Sequence, residues 1–354
     1  MRPLGDGVTV QVPRRTAPTP LPSGVTVSVV VPCFNYGRFL PQAVESALAQ
    51  RDVNVEVVVI DDASTDDSVA VGRRLASVDP RVRLLVHPEN RGHLRTANEA
   101  LLAGSGEFIV KLDADDVLTP GTLARSAALL RACPGVGFVY GRVEVFSGSE
   151  PPRCEDARAS SWTVWAGHDW LARVLGRAHN VIAQPEVMIR RSALEMAGPW
   201  YSEDLPWAED YNLWLRLAAR GDVGRVNGCS QGLYRVHSHS IQRAAADIEL
   251  ADLRARVSAV RLFLQQVPDL PTPLSHLALA SLARDTRRLA ADRIDRGLTD
   301  QAAQREYLTI ARQLENELDL EPDRSPLTWA GPVGRIVRRL YRPYRWRRWR
   351  MFGI

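Results

Sequence analysis

The chain has 354 residues, 45% of them apolar and 24% charged, with a formal net charge of +4. That length allows one large α/β domain with an appendage, and the charge balance excludes a polycation. The four cysteines, Cys33, Cys133, Cys154 and Cys229, form no CxxC pair. A zinc or redox motif is therefore not expected, and a reducing, cytoplasmic setting fits best.

Residues 1–24 are rich in Pro, Thr and Gly and lack an apolar h-region. They read as a disordered leader, not a signal peptide. No run of about 18 apolar residues occurs, so no transmembrane helix is expected. The β-branched run 27–31 predicts a buried parallel strand ending at Pro32. Leu40, Val44 and Leu48 recur at helical spacing and predict a helix over 38–50. A second buried strand, 55–60, ends in Asp61-Asp62-Ala-Ser64-Thr65-Asp66. Ser64 to Asp67 resembles a capping box opening a helix through Leu75. A third strand (82–86), a third helix (93–103) and a fourth strand (108–112) follow. The fourth strand ends in Asp113-Ala-Asp115-Asp116.

Beyond it come a helix over 123–133, a strand over 137–146, a weakly ordered loop over 150–161 and a helix over 169–175. A strand over 186–189, a strongly helical 209–220 and a short strand over 233–236 complete this region. Residues 244–318 are helical in pattern with a Pro-rich break at 267–273, and 325–332 read as a linker. Short strands alternating with helices predict an α/β fold with a doubly wound, mostly parallel sheet, helices on both faces, and a C-terminal helical extension. The expected divisions are a leader (1–24), a sheet domain (25–243), a helical extension (244–324) and a linker with tail (325–354). Ligands of such sheets bind outside the carboxyl ends of the strands, where the polar clusters at 32–35, 61–66 and 113–116 all fall.

Alternate residues leaving a strand point the same way, so Asp113 and Asp115 can face one ligand. Hard cations take one or two carboxylates plus phosphate oxygens, which suits a site where a diphosphate departs. An isolated D-x-D is more often a solvated acidic turn; its place at a strand end beside two other polar strand ends favours the metal. Asp62 is suited to accept hydrogen bonds from a nucleobase or ribose, with capping left to Ser64–Asp67; the bland reading is that the whole turn caps. Glu209 and Asp210 open a helix. They either compensate its dipole or supply a base for an acceptor hydroxyl. His237 and His239 alternate after a short strand, so one imidazole can meet a metal, although a structural histidine is the commoner case.

Taken together, these motifs resemble the family 2 inverting glycosyltransferases of GT-A fold. The matching segments are Val29-Val-Val-Pro-Cys-Phe-Asn35, Val59-Ile-Asp-Asp-Ala-Ser-Thr-Asp-Asp67, Asn90-Arg-Gly92 with Ala97-Asn98, Lys111-Leu-Asp-Ala-Asp-Asp116 and Ala208-Glu-Asp-Tyr-Asn-Leu-Trp-Leu-Arg-Leu217. The resemblance spans about 25–239. It implies that Pro32, Phe34, Asn35 and Asp62 hold the nucleobase and ribose, and that Asp113 approaches the ribose or metal. It also implies that Arg91 and Gly92 lie near the sugar-diphosphate, that Asp115 and His237 meet a divalent cation (Mn²⁺ or Mg²⁺), and that Asp210 is the general base. His239 is the alternative to His237. Phe34 stands where Tyr is more usual. The implied donor is a nucleotide-sugar, UDP- or dTDP-linked, and the acceptor a hydroxyl on a polysaccharide, glycolipid or secondary metabolite. A non-catalytic sugar-nucleotide-binding scaffold of the same fold is the other reading. A phosphotransferase is disfavoured because its D-x-D belongs on the first strand, and a nucleotidyltransferase because Pro32–Asn35 replaces a Gly-rich basic loop.

The tail at 335–350 carries eight arginines and no acid, interleaved with Tyr341, Tyr344, Trp346 and Trp349. Basic residues with Trp and Tyr suit an anionic membrane surface. The expectation is peripheral attachment to the inner face of the plasma membrane, with nucleic acid the less favoured partner and a disordered terminus the bland reading.

Overall fold

The computed structural model describes residues 2–4, 8–198, 200–205, 207–237, 248–298 and 300–318. The basic tail and His239 lie outside the described residues. The chain divides into two compact units: 13–167 with 182–243, and 1–12 with 168–181 and 244–354.

The first unit is built on a nine-stranded mixed sheet. Its spatial order is Arg14–Thr16, Ser161–Trp165, Asp222–Asn227, Val136–Tyr140, Met188–Arg190, Phe108–Lys111, Thr26–Cys33, Asn54–Asp61 and Val82–Val86. The last four are mutually parallel. Val27, Val29 and Val31 lie in one buried cluster with Val55, Val57 and Val59. Val30, Val58 and Ile60 are buried as well. Both faces are thus covered, which is why these strands are Val/Ile-rich, with only Ser28 and Glu56 interrupting the apolar runs at 27–31 and 55–60. The expected α/β fold with helices and a C-terminal helical extension is the fold observed.

Register levels the strand ends. Cys33 pairs with Asp61 and Asp61 with Val86, while Val30 pairs with Lys111. The Leu112 amide then donates to the Val30 carbonyl at 2.9 Å. The segments 33–36, 61–66, 87–92 and 113–116 therefore emerge at one edge of the sheet.

Several expectations are corrected. The strand expected over 137–146 is two strands, Val136–Tyr140 and Val143–Phe146, in different sheets. The break falls at Gly141, where a Cβ would lie 2.3 Å from Gln231 Cγ, and the Gln231 amide donates to the Arg142 carbonyl. The strand expected over 186–189 begins as a 3₁₀ turn, Gln184–Glu186, and Met188–Arg190 pairs antiparallel on both sides. Ser161–Trp165 and Asp222–Asn227 were not foreseen as strands. In the latter, Gly224 and Arg225 interrupt the apolar pattern; a Cβ at Gly224 would sit 2.6 Å from Leu129 Cδ2. Arg14–Thr16, inside the expected leader, pairs with Ser161–Trp165. The expected capping role of Ser64 is also replaced. The helix is Ser68–Val78, Asp66 accepts from the Ser68 amide at 2.9 Å, and the Ser64 hydroxyl donates to Asp61 Oδ2 at 2.6 Å.

A small sheet of Val143–Phe146, Gly232–Arg235 and Val117–Leu118 carries the chain after the D-x-D motif. Arg235 binds it together. Its amide donates to Asp116 Oδ1 (2.8 Å), its Nε to the Asp115 carbonyl (2.7 Å), Nη1 to the Ser149 carbonyl (3.0 Å) and Nη2 to Gln42 Oε1 (2.6 Å). The guanidinium lies over the rings of Phe39 and Phe146, 4.3 and 4.4 Å from their centroids. Arg235→Met would remove the guanidinium bonds to the Asp115 and Ser149 carbonyls and to Gln42 while keeping the backbone bond to Asp116, and is expected to cost about 3 kcal/mol, read from the urea midpoint. Arg235→Lys is expected to recover only part, because an ammonium cannot reproduce the planar fork.

The second unit contains the helices Gly167–Arg177, Ile248–Gln266, Thr272–Asp295 and Gln301–Asn316. The residues 168–181, expected within the sheet domain, belong here. Its interior holds an ionic cluster in which Asp285 Oδ2 meets Arg256 Nη1 at 3.1 Å and His179 Nε2 at 3.3 Å. No described helix is long and apolar enough to cross a membrane.

Candidate active site

At the first strand end, Asn35 adopts φ of 60°, the left-handed region that asparagine tolerates better than most residues. Its Oδ1 accepts from the Thr65 amide at 2.7 Å and its own amide donates to Ser64 Oγ at 2.9 Å, so it ties the first strand end to the second. Phe34 beside it is 42% exposed, with its ring available for stacking.

Asp62 is buried, and both carboxylate oxygens are engaged. Oδ1 accepts from the Arg91 amide and faces His87 Nδ1, each at 2.8 Å; Oδ2 accepts from the Gly92 amide at 2.9 Å. Burial pushes this carboxyl up, but the Arg91, His87 and Gly92 hydrogen bonds outweigh it and hold the pKa below the ordinary value. Asp62 thereby also shapes the 90–92 segment. Gly92 has φ of +87° and leads into the helix His93–Ala103. Its conformation is one that side chains rarely adopt. Pro32 sits in the strand, opposite Ile60.

At the fourth strand end, the chain's lysine, Lys111, donates to Asp113 Oδ1 at 2.5 Å. Burial opposes its charge, yet Asp113, Tyr201 and Glu209 hold its pKa above the ordinary lysine value. Asp115 Oδ2 lies 3.0 Å from His237 Nε2. Tyr36 meets the His237 ring edge-on and Phe39 lies beside it, both with centroids 5.7 Å away. Burial and the Asp113 charge push the Asp115 carboxyl up. Burial, Asp115 and Asp113 push Asp116 further, and its Oδ2 is buried without a partner.

These residues fit a hard cation. Asp115 and His237 bring a carboxylate and an imidazole, both donor types that a divalent cation accepts, within 3.0 Å of each other. Among the described residues no group of three or more His, Cys, Asp or Glu gathers to hold an ion.

Glu209 and Asp210 begin the helix Glu209–Arg220, and Asp210 Oδ1 accepts from the Tyr211 amide at 2.6 Å. Burial, then the neighbouring Asp210 charge, raises Glu209 from 4.5 to about 8. A carboxyl raised in the folded state contributes stability that is fully present below 4.5 and lost as pH rises through about 8. Melting temperature is therefore expected to fall across that window, and Glu209→Gln to flatten the slope. Lys111 and Asp113 both act on Glu209, so the D-x-D end and the Glu209–Asp210 pair share one electrostatic environment.

Sequence reasoning missed Tyr36, His87, Glu99, Lys111 and Arg235 as parts of this site. Tyr36 and Arg235 adjoin quoted motifs, and their positions beside Asn35 and within Tyr234-Arg-Val-His237 were the available signal. His87 and Glu99 carried none.

Strand-end carboxylates, an Asp–His pair and a helix-borne acidic pair thus share one end of the sheet, where α/β folds bind their ligands. The family model for glycosyl transferase family 2 matches residues 28–195. The succinoglycan biosynthesis protein ExoO of Rhizobium meliloti is 31% identical over 245 residues, 68% of this chain and 68% of its own. Succinoglycan biosynthesis protein ExoU of the same organism is 31% identical over 55% of this chain and 57% of its own. Among solved structures, S. aureus TarS 1-349 in complex with UDP-GlcNAc aligns with a TM-score of 0.60 at 17% identity, over 82% of this chain and 80% of that one. The mannosyltransferase PcManGT from Pyrobaculum calidifontis, in complex with GDP-Man and Mn²⁺, aligns at 0.52 and 20% identity, over 86% and 92%. The chain belongs to glycosyl transferase family 2.

Proposed function

We propose that the protein moves a sugar from a nucleoside-diphosphate donor to an acceptor hydroxyl with inversion at the anomeric carbon, in the assembly of a surface polysaccharide or glycolipid. The observation that carries this reading is the Asp115–His237 pair at 3.0 Å among carboxylates whose charge is only partly offset. The relatives named for succinoglycan biosynthesis support the polysaccharide setting, and the structural neighbours bound to UDP-GlcNAc and GDP-Man support the donor class.

Asp115 and His237 would hold a Mn²⁺ or Mg²⁺ ion, which supplies charge neutralisation for the departing diphosphate. Phe34 stacks on the nucleobase and Asn35 fixes the turn beneath it. Asp113, held by Lys111, faces the ribose. Arg91 and Gly92 line the diphosphate, Arg91 contributing charge and Gly92 close backbone approach. With Glu209 holding its proton near neutrality, Asp210 takes the proton from the acceptor hydroxyl. The acceptor oxygen forms its bond to the anomeric carbon opposite the breaking bond to the diphosphate, so the configuration inverts. The basic tail, with its Trp and Tyr residues, would bring this chemistry to an anionic membrane surface.

The test is a hydrolysis screen of UDP-, dTDP- and GDP-sugars with Mn²⁺ or Mg²⁺. Metal-dependent release of one nucleoside diphosphate is the expected result; no turnover of any nucleotide-sugar under either metal would count against the reading.

A further inference from the structure

The strand Val82–Val86 hands the chain to His87, which is 5% exposed and takes no part in the chemistry above. Its amide donates to the Asp61 carbonyl at 2.9 Å, which fixes the residue to the neighbouring strand end. The ring spans two carboxylates: Nδ1 lies 2.8 Å from Asp62 Oδ1 and Nε2 lies 3.0 Å from Glu99 Oε2. Glu99 comes from the helix His93–Ala103 and also accepts from Arg91 Nη1 at 3.3 Å. Asp62 in turn receives the Arg91 and Gly92 amides, and its carbonyl accepts from Asn90 Nδ2 at 3.2 Å. The charged groups around the ring are thus Asp62 from the second strand end, Glu99 from the helix and Arg91 from the intervening segment.

The ring carries a nitrogen at each end, so one residue meets a carboxylate on either side. Histidine alone among side chains offers polar nitrogens at opposite ends of one rigid ring. Glutamine, the nearest replacement in size, presents its two donors from one nitrogen and cannot span both partners.

We propose that His87 is a positioning residue for the donor-binding segment. Working through Asp62, it holds the Arg91 and Gly92 backbone in the conformation that meets the diphosphate; the diphosphate part of this assignment rests on the functional reading above. The ring anchors Asp62 from behind, Asp62 anchors the two amides, and Glu99 closes the loop by gripping the Arg91 side chain. Without the ring, Asp62 is held only by the amides it is meant to fix, so the Arg91 amide loses a firmly placed acceptor.

The experiment is amide hydrogen exchange on the full-length protein, comparing wild type with His87→Gln and Glu99→Ala. In His87→Gln the Arg91 amide is expected to exchange about tenfold faster or more, while the amides of Val57 to Val59 keep their protection. Glu99→Ala, which alters a side chain 40% exposed, is expected to give a smaller acceleration at the same amide. Unchanged protection of Arg91 in both variants would overturn the proposal. If His87→Gln loosens the whole sheet, Glu99→Ala decides alone, and an unmoved Arg91 amide there overturns it. Donor KM is expected to rise about tenfold in His87→Gln with kcat within about twofold, the signature of lost ground-state binding. A fall in kcat with KM unmoved argues against positioning. Faster exchange at Arg91 in a protein that consumes no nucleotide-sugar would sustain the His87 assignment and sink the functional reading instead.

Discussion

Asp210→Asn is expected to lower kcat for sugar transfer by about 10³-fold, within the range that a positioned general base contributes. The substitution keeps size and the hydrogen-bonding oxygen that accepts from the Tyr211 amide, so the helix start at Glu209 should persist. What it removes is the capacity to take a proton from the acceptor. Donor binding, followed by nucleoside-diphosphate titration, is expected to stay within about twofold of wild type, because the lost interaction belongs to the transition state. Glu209→Gln should cost much less, since Glu209, raised to about 8 by burial and by Asp210, already carries its proton at neutral pH. Near-normal transfer by Asp210→Asn would remove it from the base role.

The second large effect is expected at Asp115. Asp115→Asn removes one of two protein donors for a cation and leaves His237 facing a neutral amide. Transfer is expected to fall by about 10³-fold, comparable to losing a dominant electrostatic contribution at a charged leaving group. Excess chelator should reduce wild-type activity to a similar level and have little further effect on the variant. Measured together, metal titration of rate and direct Mn²⁺ binding distinguish a lost ligand from a misfolded site. Full wild-type activity in excess chelator would eliminate the cation. Because Asp113 and Asp116 surround Asp115, the substitution also relieves repulsion, and the Asp115→Asn protein is expected to be no less stable than wild type.

These expectations show how much of the molecule was legible in its sequence. The parallel half of the sheet was readable because strands covered on both faces are mostly apolar, and 27–31, 55–60 and 108–112 are, with Ser28, Glu56 and Lys111 the exceptions. Polar residues directly after such runs mark strand ends, so Asn35, Asp62, Asp113 and Asp115 could be picked out before any coordinates, while Asp210 was marked by its place at the start of a helical pattern. The antiparallel half was poorly legible. Ser161–Trp165 and Asp222–Asn227 are short, and the second carries Gly224 and Arg225, tolerated only because Leu129 packs against the glycine and Tyr140 lies near the arginine.

Local sequence by itself determined which residues stand at the strand ends, since burial demands and backbone preferences act over a few residues. Tertiary structure alone decided what those residues face. Asp62 reads as a ligand-facing carboxylate, and its partners, two amides and His87, are drawn from a separate strand and loop. Asp115 and His237, 122 positions apart, meet at 3.0 Å where Arg235 donates its amide to the Asp116 carboxylate and its Nε to the Asp115 carbonyl. Hydrogen-bond partners distant in the chain leave no periodic trace in it. Their satisfaction in a buried setting is a property of the assembled fold.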